Sequence, residues 1–301
     1  MSLPQDPLWP RASHWLEQGT RRWSGDGTPD LALLGVPAHL TSISPTNAHE
    51  TPKAVRGALA RYSTWSATSE TDLADLWAVD LGDIEAPDSS AGENRTMSAV
   101  RSWPGRLLVA LGGDNSVTYA VAQGADAAGL VTLDAHHDLR DGISNGSPVR
   151  RLLEAGVSGS RIVQVGIADF SNSPAYAARA QEAGIRVFTR ADVAARGIGE
   201  VMQQALAIAG AGPGGLHVDL DVDVCDRAVV PACPAAAPGG LSAWELREAA
   251  RAAGADARVR TIDLCEVDAG ADSADERTVR LVALCVLEAA AGLASRAKRD
   301  R

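Results

Sequence analysis

The chain has 301 residues, of which 46% are hydrophobic, and its 28 basic and 38 acidic residues give a formal net charge of -10. A chain of this size can bury a large core, and its acidity argues against nucleic acid or an anionic membrane surface as a partner, because both require a basic surface. The N-terminal segment lacks a basic stretch followed by an apolar one, and no apolar run approaches about 18 residues. We therefore expect no signal peptide and no membrane span, and we predict a cytoplasmic protein.

Along the chain, short runs rich in Val, Leu and Ile alternate with segments rich in Ala and Arg that have helical period. We predict eight strands, at residues 30–36, 76–81, 106–111, 130–134, 161–166, 185–189, 215–221 and 260–267. We predict helices at 117–127, 147–154, 174–183, 200–209, 243–253 and 278–297, and a capping box formed by Ser242 and Glu245. Several strands are apolar nearly throughout, which is typical of parallel strands covered on both faces. The pattern predicts an α/β protein, a three-layer α/β/α sandwich with an eight-stranded, mainly parallel sheet.

Domain organisation and cysteine usage are simple. No Pro/Gly/Ser linker and no repeat divides the sequence, so we predict a single domain over residues 1–301, with residues 1–29 as an N-terminal extension. This extension and residues 85–94 are expected to be surface excursions. The cysteines include no CxxC pair and lie in or next to apolar segments, which indicates reduced thiols of the core.

Acidic and histidine side chains follow several of the predicted strands. In an open α/β sheet, ligands bind outside the carboxyl ends of the strands, where such residues would converge. Asp134, His136 and Asp138 alternate along the chain, so in an extended segment their side chains lie on one face. Asp219 and Asp221 repeat this spacing on a second strand, which gives five candidate metal ligands. Four carboxylates and one imidazole favour Mn²⁺ or Mg²⁺, and this much negative charge indicates more than one ion. Two ions that share carboxylates can activate a bridging water.

Burial of these acids needs a cation. The segment from His217 through Asp223 reads HxDxDxD within an apolar strand, and it would be costly to bury without compensating charge. His137 points away from its neighbour His136 by strand alternation, so we interpret it as a packed side chain.

Four motifs follow one another along the chain: GGDNS at 112–116, DAHHD at 134–138, DLD at 219–221 and LCEVD at 264–268. In composition and order they resemble the ureohydrolase superfamily of arginases, agmatinases and formimidoylglutamases, and the chain looks closest to bacterial formimidoylglutamase-like members. The resemblance implies a three-layer fold, a two-manganese centre and hydrolysis of a carbon–nitrogen bond in a guanidino or formimino group. It also implies a homotrimer or homohexamer.

The resemblance also implies a role for each motif residue. Asp134 and Asp219 match carboxylates that bridge the two metals, and His136 and Asp221 complete one metal site. Asp138 matches the catalytic acid that ligates the other metal and orients its hydroxide. Glu266 matches the catalytic-site carboxylate that holds the planar cationic substrate group, to which it can make paired charge-assisted hydrogen bonds.

Two positions depart from the family pattern. Asn115 stands where the family usually has a histidine ligand of the first metal, and an amide oxygen binds Mn²⁺ less well, so we expect this site to be weakened. The segment 142–150 looks like the family's substrate loop, and it includes Asn145 and Ser147 as predicted substrate-binding residues. Asn145 replaces a histidine that shuttles protons in arginases and agmatinases. An amidine can release its amine with less assistance from a proton donor than a guanidine, so this change favours a formimino substrate.

The leading hypothesis is therefore hydrolysis of N-formimidoyl-L-glutamate to L-glutamate and formamide, a step of histidine degradation. The two carboxylates of that substrate need cationic partners, and the candidates are Arg140, Arg150 and Arg227. One alternative is an agmatinase or a guanidino-acid hydrolase such as a guanidinobutyrase. Agmatine carries a second cation, which would need an acid such as Asp141 or Asp223.

A further alternative belongs to another class of protein. The two missing histidines would also suit a metal-poor pseudoenzyme that acts as a scaffold or partner subunit. Its metal content would distinguish it from both kinds of enzyme.

Overall fold

The computed structural model describes residues 6–299 of the chain, and eight parallel strands form its central sheet. The strands are β1 (Leu31–Val36), the two-residue strands β2 (Trp65–Ser66) and β3 (Thr71–Asp72), β4 (Ala78–Asp83), β5 (Leu107–Gly112), β6 (Ala127–Leu133), β7 (Ile162–Ile167), β8 (Arg186–Thr189), β9 (Gly215–Asp221) and β10 (Val259–Cys265). The sheet order is β4-β1-β5-β10-β9-β6-β7-β8, and β2 and β3 form a separate antiparallel pair. All eight predicted strands are confirmed, with small shifts at their ends.

Helices cover both faces of this sheet. They are α1 (Ala12–Arg22), α2 (Thr51–Leu59), α3 (Ser90–Arg101), α4 (Val117–Gly124), α5 (Pro148–Glu154), α6 (Pro174–Glu182), α7 (Arg190–Arg196), α8 (Ile198–Ala209), α9 (Ala243–Ala255) and α10 (Arg277–Arg299). One face packs α1, α2 and α7 to α10 against the sheet, and the other packs α3 to α6. Successive residues of β1 alternate between the two cores, with Leu33 on one side and Leu34 on the other. The predicted three-layer sandwich is confirmed.

The prediction that residues 1–29 and 85–94 are surface excursions is wrong in part, because a helix lies in the first segment and another begins in the second. Helix α1 lies within residues 1–29 and buries Trp15 and Leu16 in the main core. It contains Gly19, which weakens the sequence signal for a helix, but a Cβ there would lie 1.8 Å from the carbonyl oxygen of Ala78, so close packing on the sheet requires glycine. Residues 90–94 begin α3, whose first turn is capped by the side chain of Ser89.

Several local predictions are confirmed. Ser242 and Glu245 form the capping box of α9. All four cysteines are free and buried. The segment 277–296 of α10 is long and apolar enough to cross a membrane, but 78% of its apolar window is buried inside the protein, as in a core helix.

The sheet order explains why the motifs meet. The strands β5, β10, β9 and β6 are consecutive neighbours in the sheet, and one of the four motifs lies at or directly after the carboxyl end of each. Because all these strands are parallel, their carboxyl ends lie at the same edge. Residues that are far apart in sequence are thereby brought to one site.

Candidate metal centre

Buried carboxylates from β6, β9 and the segments that follow these strands surround a small volume at this edge. Asp134, Asp138, Asp219, Asp221 and Asp223 are all buried. Two groups of residues place potential ligand atoms within 4.8 Å of one another: one contains Asp134, His136 and Asp223, and the other contains Asp219, Asp263 and Cys265. The structure therefore brings together side chains from both predicted metal motifs.

The chain after β6 turns sharply through the DAHHD motif. The backbone N–H of His136 donates to Oδ1 of Asp134 at 2.6 Å, and Nδ1 of His136 lies 2.7 Å from Oδ2 of Asp223. Asp138 has φ 52, a left-handed conformation that is uncommon for a residue with a side chain. His137 faces the other way and meets Gln164, with Nδ1 to Oε1 2.6 Å apart, so it is a packed histidine.

The β9 carboxylates are fixed by neighbouring strands. Thr132 donates its hydroxyl to Oδ2 of Asp219 at 2.7 Å, and the thiol of Cys265 donates to Oδ1 of the same carboxylate at 3.6 Å. Asp221 accepts the backbone N–H of Asp223 at 2.8 Å. These contacts orient the acids before any ligand binds.

The electrostatics of the site fit a bound cation. Burial raises the pKa of the carboxyls of Asp134, Asp138, Asp219 and Asp221 well above the usual range, and repulsion between neighbouring acids raises it further. Oδ2 of Asp134 is buried without a hydrogen-bond partner among the described residues. Such acids are stable as carboxylates only beside positive charge, so the donor set suits divalent metal ions.

While no metal is bound, His136 supplies positive charge among these acids; as a metal ligand its imidazole would be neutral and would have released that proton. Burial alone would lower the pKa of its imidazole, but hydrogen bonds to the carboxylates of Asp134 and Asp223 raise that pKa to about 12. One imidazolium does not compensate for four buried carboxyls. The site therefore needs further cations for the acids to be ionised.

Asn115 lies beside Asp138 and makes contacts on both sides of its amide. Its Nδ2 donates to Oδ2 of Asp138 at 2.7 Å, while its Oδ1 accepts the hydroxyl of Thr118 at 2.6 Å and the thiol of Cys265 at 3.3 Å. The amide oxygen, which would be the metal ligand, is thus already hydrogen-bonded. The expectation of a weakened first metal site stays a prediction, and this geometry gives it a physical basis.

Glu266 follows β10 with φ 62, another left-handed residue. Its Oε1 accepts the backbone N–H of Asn115 at 2.7 Å and Nδ2 of Asn145 at 2.8 Å. Burial raises the pKa of Glu266 to about 7, against the lowering effect of the hydrogen bond from Asn145. The site therefore brings Asn145 and Glu266 into direct contact.

A cleft of about 280 Å³ opens beside these residues. His136, Asp138, Asp221, Asp223 and Glu266 line it, together with Arg140 and Asn145. Arg140 is the only arginine or lysine among its described lining residues, and no hydrogen bond or ion pair engages its guanidinium there. The cleft therefore combines a buried acidic side with one free cation.

The other predicted substrate-binding residues have partners of their own and do not line this cleft. The guanidinium of Arg150 donates to the carbonyl oxygens of Arg140 and Gly142, and that of Arg227 donates to the carbonyl of Cys233. Ser147 is buried, and its hydroxyl donates to the carbonyl of Ser144 at 2.8 Å. These three residues hold loops in place, so their direct contact with a substrate has no support from the geometry.

Three residues of the centre are not predicted as ligands by the sequence motifs. Asp223 continues the alternate acidic spacing of β9, and this is the available signal, although the chain leaves the strand at Asp221. Asp263 and Cys265 alternate within the apolar run of β10. Asp263 pairs with His217, with Oδ2 to Nε2 3.1 Å apart, and both side chains are fully buried.

Several known proteins are similar to this chain in sequence and in overall fold. A formimidoylglutamase of Halalkalibacterium halodurans is 36% identical over 283 residues, covering 88% of each chain, and one of Bacillus subtilis is 34% identical over 286 residues, covering 90% of this chain and 89% of the relative. The crystal structure of the formimidoylglutamase from Bacillus subtilis subsp. subtilis str. 168 superposes with a TM-score of 0.89 at 31% identity, covering 97% of this chain and 94% of that one.

Two further comparisons bear on the fold and the family. The fold is shared with Trypanosoma cruzi formiminoglutamase, solved with Mn²⁺, at a TM-score of 0.87 and 22% identity, over 96% of this chain and 99% of that one. The arginase family profile matches residues 29–292. The chain belongs to the arginase family.

Proposed function

We propose that the protein hydrolyses N-formimidoyl-L-glutamate to L-glutamate and formamide at a centre of two divalent ions, which we take to be Mn²⁺. The observation that carries the proposal is the distribution of charge in the cleft, which is lined by the buried carboxylate of Glu266 and by the free guanidinium of Arg140. The substrate carries a cationic amidine on its α-nitrogen, one carboxylate beside it and a second carboxylate at the far end of the side chain. Its charges are complementary to those of the cleft.

The residues that would hold the ions are Asp134, His136, Asp138, Asp219 and Asp221, with Asn115 beside the weaker site. Their oxygen-rich donor set suits Mn²⁺, which is the ion in the solved Trypanosoma cruzi formiminoglutamase. When bound, such ions supply the Lewis acidity that makes water a usable nucleophile near neutral pH.

The chain's own residues bind and orient the reactants. Glu266 receives the planar amidinium through charge-assisted hydrogen bonding at Oε2, the oxygen left free by the described residues, which fixes the formimino carbon in the cleft. Asp138 is held toward the same space by the amide of Asn115. Arg140 binds a carboxylate of the glutamate portion, so that substrates lacking one are bound less tightly.

The bond changes follow from this placement. The oxygen of water bonds to the formimino carbon, and the bond from that carbon to the glutamate nitrogen breaks. Both protons of the water end on the departing nitrogen, which leaves as the ammonium group of glutamate, while the remaining fragment is formamide. Asn145 has no proton to exchange near neutral pH, so the leaving nitrogen depends on groups close to the metal centre, and we assign the proton transfer to Asp138.

Agmatine fits this cleft less well. Its distal cation would require a free acid, and Asp141 is paired with Arg179 at 2.9 Å while Asp223 is paired with His136 at 2.7 Å. Arg140 would repel that cation. These contacts support the formimino substrate over agmatine.

A product assay tests the proposal. Metal-loaded protein should release L-glutamate and formamide in equal amounts from N-formimidoyl-L-glutamate, and chelation followed by Mn²⁺ addition should abolish and restore the activity. Metal-loaded protein that releases neither product would refute the proposal, and protein that retains no Mn²⁺ would favour the pseudoenzyme alternative.

The proposal extends to a cytoplasmic homotrimer or homohexamer. Large apolar side chains that are exposed in the single chain, among them Trp65, Phe170 and Trp244, support burial between subunits. Analytical ultracentrifugation of the metal-loaded protein would contradict this assembly if it showed a monomer.

A further inference from the structure

Asn145 lies where three segments that follow different strands meet. Its side-chain oxygen accepts the backbone N–H of Ile43 at 3.0 Å, and its side-chain nitrogen donates to Oε1 of Glu266 at 2.8 Å. Its own backbone N–H donates to the carbonyl oxygen of Thr41 at 3.2 Å. One short side chain therefore connects the segment after β1 with the residue after β10.

The contact with Glu266 fixes one half of a carboxylate and leaves the other half free. Oε1 receives two donors, the backbone N–H of Asn115 and the amide of Asn145. No described residue donates a hydrogen bond to Oε2, and Glu266 lines the cleft. A planar cation needs a carboxylate in one fixed orientation, and a contact that orients Oε1 also orients the whole group.

The contact with Ile43 stabilises the middle of the segment 39–47, whose other hydrogen bonds to the rest of the protein lie mainly at its two ends. The backbone N–H groups of His39 and Leu40 donate to Asp88 at 2.7 Å, and that of Asn47 donates to Asp268 at 3.0 Å. Between these anchors, the hydroxyl of Thr41 donates to Asp114 at 3.4 Å, and two hydrogen bonds connect Thr41 and Ile43 to Asn145. Ile43 lines the cleft and is 54% exposed, so the position of its side chain affects the width of the cleft entrance.

We infer that Asn145 is a positioning residue. Through its two side-chain hydrogen bonds, the position of residues 41–44 and the orientation of the Glu266 carboxylate depend on each other. The inference rests on the proposed role of Glu266 in binding the amidinium. It assigns to Asn145 a positioning function, because both ends of its amide are occupied by contacts with other segments and an amide does not transfer protons near neutral pH. Substrate binding at Glu266 and order at the cleft entrance then depend on one another.

Single and double variants of the full-length, metal-loaded protein test this coupling. Asn145→Leu removes both side-chain contacts at similar volume, and Ile43→Pro removes the backbone donor together with the isoleucine side chain. Ile43→Ala is the matched control, because it shortens the same side chain and keeps the N–H. Equal Mn²⁺ content in all variants serves as the check that the centre has folded.

We expect Asn145→Leu to raise the KM for the amidine and the inhibition constant for guanidinium ion, used as a minimal planar probe, by about ten- to a hundredfold, the scale of losing a hydrogen bond to a charged group. Ile43→Pro should raise both constants above those of Ile43→Ala. The double variant should be no worse than Asn145→Leu alone, because the two changes break one connection. Fully additive effects, or constants for Asn145→Leu within twofold of wild type, would overturn the inference.

Hydrogen exchange provides a readout that needs no turnover. The backbone amide of Ile43 should exchange faster in Asn145→Leu, and the amides of residues 42 and 44 should exchange faster in Ile43→Pro than in Ile43→Ala. Unchanged exchange would overturn the loop contact even if the enzyme is active. Conversely, faster exchange in a protein that hydrolyses no amidine would leave the loop contact in place and refute the proposed function.

Discussion

The side-chain nitrogen of Asn115 lies 2.7 Å from Oδ2 of Asp138, and its side-chain oxygen is turned toward the hydroxyl of Thr118. To ligate a metal through that oxygen, the amide would have to rotate and give up both hydrogen bonds. The cost of this rotation adds to the intrinsic weakness of an amide ligand for Mn²⁺. We therefore expect the two metal positions to differ in affinity.

Asn115→His should strengthen the weaker position. An imidazole nitrogen is a better ligand, and we expect the dissociation constant of that Mn²⁺ to fall by about tenfold, equivalent to roughly 1.4 kcal/mol, with the other ion unaffected. Calorimetric titration of metal-free wild type and variant measures both constants. Two equivalents bound equally tightly in both proteins, with a slower variant, would show instead that Asn115 is a catalytic adaptation.

Asp134→Asn should have opposite effects on stability with and without metal. Wild type should gain thermal stability on adding Mn²⁺ by mass action, and the variant should lose this gain together with nearly all activity. In chelator the melting temperature of the variant should be at least about 2 °C above that of wild type, because the substitution removes a buried carboxyl that is repelled by neighbouring acids. A shift of this size corresponds to roughly 1 kcal/mol of stability in a protein of this size. Asp169→Asn, on an exposed loop acid, is the matched control. A variant that retains both ions would disprove the bridging role of Asp134.

The metal-free protein should lose stability as the pH rises. The pKa of Glu266 rises from its ordinary value of 4.5 to about 7 in the folded chain, so between these values the folded state holds more protons than the unfolded state and stability falls. The imidazole of His136, with its pKa raised to about 12, contributes stability below pH 6.5 that is lost as the pH rises further. Chemical denaturation in chelator from pH 5 to 7 measures the slope.

Glu266→Gln is the control for this pH dependence. The variant has no titrating carboxyl at that position, so the decline between pH 5 and 7 should be shallower than in wild type. A stability that is constant or increasing over this range in metal-free wild type would contradict the raised pKa values.

Arg140→Ala should raise the KM for N-formimidoyl-L-glutamate by about tenfold or more, with a smaller change in kcat. The guanidinium binds a carboxylate remote from the reacting carbon, so its loss affects ground state and transition state alike. Arg101→Ala, an exposed arginine on α3, is the matched control. An unchanged KM in Arg140→Ala would mean that another group receives the carboxylate.

The sequence is sufficient to predict the sheet and the place of the site. Apolar strands in parallel sheets have a strong pattern, and residues such as Asp134 and Asp219 stand out because acids rarely follow buried runs in alternate positions. Helix α1 is not predicted, because Gly19, which its packing requires, weakens the helical signal. Helix propensity alone does not show that the backbone of Ala78 approaches Gly19 so closely that only glycine fits.

The choice among the three arginines could not be made from the sequence. Arg140, Arg150 and Arg227 all lie near the motifs in sequence, and a guanidinium has the same charge in each. Only the fold shows that Arg150 and Arg227 are engaged by backbone carbonyls while Arg140 faces the cleft. The pairing of Asp223 with His136 likewise depends on a turn after β9 that alternation does not predict.

The relative kcat/KM of the metal-loaded protein for N-formimidoyl-L-glutamate, agmatine, arginine and guanidinobutyrate tests the central claim most directly. The account predicts the highest value for N-formimidoyl-L-glutamate, with guanidinobutyrate next, since it carries a carboxylate, and agmatine lowest, since its distal cation faces Arg140. Agmatine turning over best, and equally well in Arg140→Ala, would contradict the account.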